Sequence, residues 1–196
     1  MGVLGGAFNP PHIGHLVLGQ DAAFQFELEQ VLLVPSGEAP HKRIDPEPGR
    51  ELRLEMTRLA AATDPALEAS DVETSREGLS FSFRTLELLR EERPGDELVL
   101  LMGADVAAGL EGWREPRRVL ELARLGIAAR PGTVLDEAEA ALERLGASRR
   151  AEIVRMPEIG VSSSDIRRRV AAAEPIRYLV PDTVVDLIAE RGLYRA

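Results

Sequence analysis

The chain contains no cysteine, which removes disulfides, thiolate catalysis and every cysteine-based zinc site at once. No apolar run approaches the roughly 18 residues of a membrane span, and Met1 leads into a strand-like stretch with no charged leader. The expectation is a cytoplasmic protein that does not enter membranes. Basic charge is scarce relative to acidic: a net charge of −9 works against the broad cationic face that nucleic acids require to displace counterions. Small phosphorylated ligands stay open, because they need only local positive charge. With 196 residues, 44% of them hydrophobic, the sequence can bury one ordinary core, and nothing in it marks a linker or a repeat.

What there is of the scarce residue types is clustered. His12, His15 and His41 are the three histidines, and Lys42, the one lysine, follows the third. All other cations are arginine. An ammonium retained among planar guanidinium forks suggests a position that wants a compact, mobile point charge.

Apolar runs alternate with helical spacing along the chain. Strands are expected at residues 1–4, 30–35, 67–70, 97–102, 125–129 and 152–155. Helices are expected at 13–28, 50–62, 80–92, 116–122, 135–145, 163–173 and 181–191. This alternation predicts an α/β fold, a Rossmann-like doubly wound parallel sheet with helices on both faces. Ligands in such sheets sit beyond the carboxyl ends of the strands, at the switch point where strand order reverses. The loops that follow strands are therefore the ones to read.

The first of them runs Gly5-Gly6-Ala7-Phe8-Asn9-Pro10-Pro11-His12-Ile13-Gly14-His15. Gly5 and Gly6 can take positive φ and let backbone amides approach an anion, and Pro11 suits the first turn of the following helix. That helix start offers unpaired N–H donors and a positive dipole end. His12 and His15, three apart, face the same side and can donate to phosphate oxygens and to charge that develops as a phosphoryl bond breaks. A zinc site would want a third ligand and a nearby carboxylate. The segment also lacks the Gly-Lys-Ser/Thr of a P-loop and the G-x-G-x-x-G of dinucleotide folds.

Three later loops add candidates. Pro40-His41-Lys42 follows the second strand, and Gly103-Ala104-Asp105, with Trp113 beyond, follows the fourth. Val161-Ser162-Ser163-Ser164-Asp165-Ile166-Arg167 follows the sixth, where Ser162 reads as a helix N-cap with Asp165 in capping-box position. Of Arg167-Arg168-Arg169, at least two should lie on a solvated helix surface.

The first segment resembles the signature of the nucleotidyltransferase superfamily, G-x-F-[DN]-P-x-[HT]-x-G-H, with His12 pointing to its pyridine-nucleotide branch. Residues 161–167 resemble the second signature, I-S-S-T-x-I-R, with Val161 and Ser164 as mild departures. Pro40-His41-Lys42, Gly103-x-Asp105 with Trp113, and Ile176-Arg177-Tyr178-Leu179-Val180-Pro181 resemble the bacterial nicotinate-nucleotide adenylyltransferase family. Where that family often has S-Y-T-x-D-T-L this chain has Ser80-Phe81-Ser82-Phe83-Arg84-Thr85-Leu86, losing a hydroxyl at Phe81 and reversing a charge at Arg84.

The resemblance implies AMP transfer from Mg-ATP to nicotinate mononucleotide, giving deamido-NAD and pyrophosphate in NAD biosynthesis. It implies catalytic roles for His12, His15, Lys42 and Arg167, and ATP binding by Gly5, Gly6, Ala7, Phe8, His15, Gly103, Asp105, Ser162, Ser163 and Arg167. Asp105, otherwise a helix N-cap, would accept ribose hydroxyls, and Lys42, Phe81, Ser82, Trp113 and Arg130 would hold the mononucleotide. Magnesium would ride mainly on ATP phosphates and water, with no protein ligands, since the sequence shows no carboxylate cage. The expected organisation is one nucleotidyltransferase domain over 1–196, with 160–196 a C-terminal helical part carrying the second phosphate motif. Three alternatives stay open: a nicotinamide mononucleotide or dual-specificity enzyme, another superfamily member such as phosphopantetheine adenylyltransferase, and a non-catalytic nucleotide-sensing module.

Overall fold

A computed structural model of the chain describes residues 1–38, 46, 48–129 and 135–195, with Ala129 and Leu135 described by backbone alone. Among these residues the first half runs β1 Gly2–Gly6, α1 Ile13–Gln25, β2 Val31–Pro35, α2 Arg50–Ala61, β3 Leu67–Ala69, α3 Ser82–Glu92 and β4 Leu98–Gly103. The second half runs α4 Ala104–Ala108, α5 Pro116–Leu122, β5 Ala123–Ala129, α6 Leu135–Arg144, β6 Ala151–Arg155, α7 Ser163–Ala171 and α8 Asp182–Glu190. All six expected strands form, and all seven expected helices. The addition is α4, because Gly103-Ala104-Asp105 opens a short helix where a loop was expected.

The strands form one parallel sheet in the order β3-β2-β1-β4-β5-β6. Strand alternation explains why both faces are covered. Val3, Leu32, Val34, Leu98, Leu100, Leu125 and Ile127 point into one apolar cluster, while Leu4, Val31, Leu33, Val99 and Leu101 point into the other. The first cluster is completed by α3, α4, α5 and α6, through residues such as Leu86, Ala107, Leu120 and Leu142. The second is completed by α1 through Leu18, Ala22 and Ala23.

A third cluster joins the C-terminal helices to α2: Met56 and Ala60 pack with Ile166, Ile176, Val184, Leu187 and Ile188. Strand order reverses between β1 and β4, so the loops after those two strands flank the crevice where such sheets bind ligands. Among the described residues no helix is long and apolar enough to cross a membrane.

Candidate active site

The loop after β1 takes a different path from the one read in its glycines. Gly5 and Gly6 continue the strand, in register with Val34 and Pro35, and it is Phe8 that enters the left-handed region, at φ 46°. The pairing with β2 holds the two glycines extended, so the turn falls two residues later. A Cβ added at Gly5 would meet nothing within 4 Å, whereas at Gly6 it would come within 3.3 Å of the Phe8 ring. Phe8 turns inward, 1% exposed, and its ring meets His15 edge-on with centroids 4.9 Å apart.

His12 is the N-cap of α1, in extended conformation, so Pro11 stands one residue ahead of the cap and not in the first turn. His12 and His15 share one side of the helix start, as their spacing required, with ring centroids 3.7 Å apart. The close fit has a local cause, since a Cβ on Gly14 would approach the His12 ring to 3.1 Å. The His12 backbone N–H donates to His15 Nδ1 at 3.1 Å. A nitrogen that accepts carries no proton, so a proton on the other ring nitrogen of His15 sits on Nε2. His12 is buried at 5% exposure, while His15 is half-buried.

The amides of this helix start are partly committed already. Ile13 N–H donates to the Leu179 carbonyl at 3.0 Å, and His15 N–H to the His12 carbonyl at 2.9 Å. The segment from Ile176 to Pro181, one of those that carry the family likeness, thus caps α1 from outside.

The start of α7 docks directly on the first loop. Ser162 caps the helix by accepting from Asp165 N–H at 3.1 Å, and Ser163 Oγ donates to the Pro10 carbonyl at 2.8 Å. Arg167 donates through Nη1 to the Asn9 carbonyl at 2.8 Å and through Nη2 to Ser164 Oγ at 3.2 Å. Two motifs more than 150 residues apart in sequence thereby share one surface. The neighbouring arginines turn away: Arg168 pairs with Asp165 and Glu174, and Arg169 with Asp165. Asp165 therefore serves these two arginines with its carboxylate and forms the first half of the capping box with its amide. The Arg169 and Arg168 hydrogen bonds hold that carboxyl below its ordinary pKa.

At the adjacent strand end, Asp105 lies in the first turn of α4, with Gly103 as the N-cap in its place. Its exposed side chain folds back so closely that a Cβ on Gly103 would stand 2.5 Å from Oδ1. Phe81 caps α3 and Ser82 opens it. Phe81 stacks on Phe83 at 6.1 Å, and the Arg114 guanidinium lies 5.8 Å from the Phe81 centroid. Trp113 is half-buried, packed with Phe83 against the edge of the core. Arg84 pairs with Glu87 along the surface of α3. His41, Lys42 and Arg130 lie outside the described residues.

Two further residues gave no sequence signal of their own. Arg53 of α2 is 1% exposed, and its guanidinium donates to the Ala7, Ser36 and Gly37 carbonyls at 3.1, 2.6 and 3.1 Å. It pins the loop after β1 to the loop after β2. Glu73 accepts from Thr85 Oγ1 at 2.6 Å, beside Ser80, whose Oγ accepts from Gly37 N–H at 3.0 Å. Burial pushes the Glu73 carboxyl above its ordinary pKa, against the hydrogen bonds of Thr85, Ser80 and the Gly37 backbone and the charge of Arg76. Sequence spacing alone marks Arg53 as one more cation on an amphipathic helix, and only its burial identifies it.

The sequence and the fold both have known relatives. Residues 3–169 match the model of the cytidylyltransferase-like family. Among curated relatives, a protein of Roseiflexus sp. strain RS-1 named as a nicotinate-nucleotide adenylyltransferase is 40% identical, covering 100% of this chain and 98% of its own. One of the same name from Thermomicrobium roseum is 42% identical, covering 100% of this chain and 91% of its own. Among solved structures, the Plasmodium falciparum nicotinic acid mononucleotide adenylyltransferase complexed with NaAD has a TM-score of 0.78. It is 17% identical, over 98% of this chain and 96% of that one. At that identity the likeness speaks for the fold. On the family model and the whole-length relatives, the chain belongs to the cytidylyltransferase-like nucleotidyltransferases, within the nicotinate-nucleotide adenylyltransferase family.

Proposed function

We propose that the protein transfers AMP from Mg-ATP to nicotinate mononucleotide, yielding deamido-NAD and pyrophosphate. The observation that carries this reading is the docking of Ser163 and Arg167 on the Pro10 and Asn9 carbonyls, beside the adjoining rings of His12 and His15. It gathers donors for a polyphosphate on one surface at the sheet's switch point. In the reaction a phosphate oxygen of the mononucleotide attacks the α-phosphorus of ATP, and the bond to the bridging oxygen of the β-phosphate breaks. The attacking oxygen is already anionic at neutral pH, so alignment and charge stabilisation supply the catalysis without a general base.

His15 Nε2–H and His12 are the donors we assign to the reacting phosphates, with Arg167 on the triphosphate and Lys42 a further charge there. Gly5, Gly6, Ala7 and Phe8 shape the strand end that the nucleotide approaches, and Ser162 and Ser163 set the start of α7. Asp105, exposed at the end of β4, suits ribose hydroxyls. Phe81, Ser82 and Trp113 form the end for the pyridine ring, and Arg130 is a candidate for the mononucleotide phosphate. Arg114 over Phe81 puts positive charge at that end, which favours the carboxylate of nicotinate over the amide of nicotinamide.

We read magnesium as delivered on the triphosphate, held mainly by its oxygens and by water. Bound there, magnesium would polarise the phosphates and stabilise departing pyrophosphate. We read 1–196 as a single domain, with residues 160–196 its C-terminal helical part carrying the second phosphate motif, and infer a cytoplasmic location. The test is magnesium-dependent pyrophosphate release from ATP with nicotinate and nicotinamide mononucleotides in parallel. Preference for the acid is expected. Equal rates would mean dual specificity, and release with neither would overturn the reading.

A further inference from the structure

Asn9 sits at 2% exposure in the middle of the phosphate loop, and its side-chain oxygen, its side-chain nitrogen and its main-chain carbonyl are each used by a different part of the chain. Tyr194, beyond α8, donates its hydroxyl to Asn9 Oδ1 at 2.5 Å. Asn9 Nδ2 donates to the Pro46 carbonyl, in the connection from β2 to α2, at 2.8 Å. The Asn9 main-chain carbonyl receives Arg167 Nη1. An amide has one oxygen and one NH2, and the two partners fix which faces which. Pro46 offers only an acceptor there, so the donor end must turn to it, and Tyr194 supplies a hydroxyl for the other end. Aspartate, which the motif also admits at this position, would set oxygen against oxygen at Pro46.

We propose that Tyr194 is a positioning residue for the phosphate site: through Asn9 it fixes the carbonyl that aims the Arg167 guanidinium. This rests on the reading of Arg167 as a triphosphate ligand. The tyrosine ring packs at the cluster of α2, α7 and α8, with its hydroxyl 3.8 Å from Met56 Sδ, so the element that carries Arg167 and the tail that orients Asn9 share one apolar support. A buried amide held from both ends resists rotation, and the peptide that follows it is held with it.

Tyr194→Phe removes the hydroxyl and keeps the ring. Losing one hydrogen bond should lower Tm by only about 2–4 °C. At a temperature well below either Tm, kcat/KM for ATP should fall roughly tenfold, since a misaimed guanidinium loses its contact with a reacting phosphate. The decisive comparison is the same change in an Arg167→Ala background. If Tyr194 acts through Arg167, the double variant loses no more than about twofold beyond Arg167→Ala alone, because the two changes are not additive. A full tenfold drop in both backgrounds, or unchanged kinetics for Tyr194→Phe, would overturn the proposal.

The same four proteins are read by the rise in Tm that Mg-ATP produces, which needs no acceptor. A nonadditive pattern there without turnover would keep the inference and discard the proposed reaction. Turnover with an additive pattern would do the reverse. No rise with ATP in the wild type would discard both.

Discussion

Arg53 is a cation held almost entirely out of water by three backbone carbonyls, and Arg53→Met should expose how much the site depends on it. Methionine keeps much of the side-chain volume, so packing against α2 and the sheet is largely preserved. What is lost is the bonding to the Ala7, Ser36 and Gly37 carbonyls. Each bond from a charged donor contributes about 1.5–3 kcal/mol, but the three share one guanidinium and water can reach part of the freed loop. A net cost of about 3–5 kcal/mol follows, the range for breaking a buried charged network. For a chain of this size that is a fall in Tm of roughly 6–20 °C.

Arg53→Lys should recover about half of that loss, since an ammonium keeps the charge but cannot span three acceptors. Calorimetry or urea denaturation reads the stability, and the ATP-induced rise in Tm reads the site. That rise should shrink in both variants, because Ala7 and Gly37 lie on the two loops the nucleotide would meet. A methionine variant melting within about 3 °C of wild type would refute the reasoning, since it would mean the loops hold their places without the fork.

His15→Ala should reduce kcat by about 10²- to 10³-fold, the usual loss of one donor to a reacting phosphate, with folding intact and Tm lower by only about 2–4 °C for the lost His12 N–H bond; near-normal turnover would remove His15 from the chemistry. Arg167→Ala should cost activity that Arg168→Ala does not, because Arg168 is spent on Asp165 and Glu174 at the surface, and steady-state kinetics of the pair reads the difference. For Glu73, whose carboxyl is raised above its ordinary 4.5 in the fold, the associated stability is fully present below that value and is lost as pH rises through the raised pKa. Glu73→Gln should therefore gain stability relative to wild type as pH rises from 4.5 toward neutrality, and a difference independent of pH in urea titrations would contradict the buried assignment. Arg114→Gln should narrow the preference for nicotinate over nicotinamide mononucleotide by roughly fivefold, the scale of one exposed charge pair, as read from the ratio of kcat/KM values.

The fold was legible because its signals are local. Apolar runs such as 97–102 read as buried strands, and the spacing in 50–62 and 80–92 as helices, so their alternation led directly to a parallel sheet. The motifs also carried their own geometry: three-residue spacing is enough to put His12 and His15 on one side of a helix start, whatever packs around them. Sequence alone misplaced what depends on neighbours. Gly5 and Gly6 read as a turn, yet pairing with β2 keeps them extended and moves the turn to Phe8. The α1 amides read as open, yet Leu179 reaches across to cap one of them.

Arg53, Glu73 and Tyr194 belong to the same class. Each is an ordinary residue type in an ordinary local setting, and each acquires its role from partners that the chain brings back from far away. Residue spacing along one element is set by backbone geometry, which a sequence states directly. Contacts between elements follow from how whole layers pack, and that is decided only when the chain has folded.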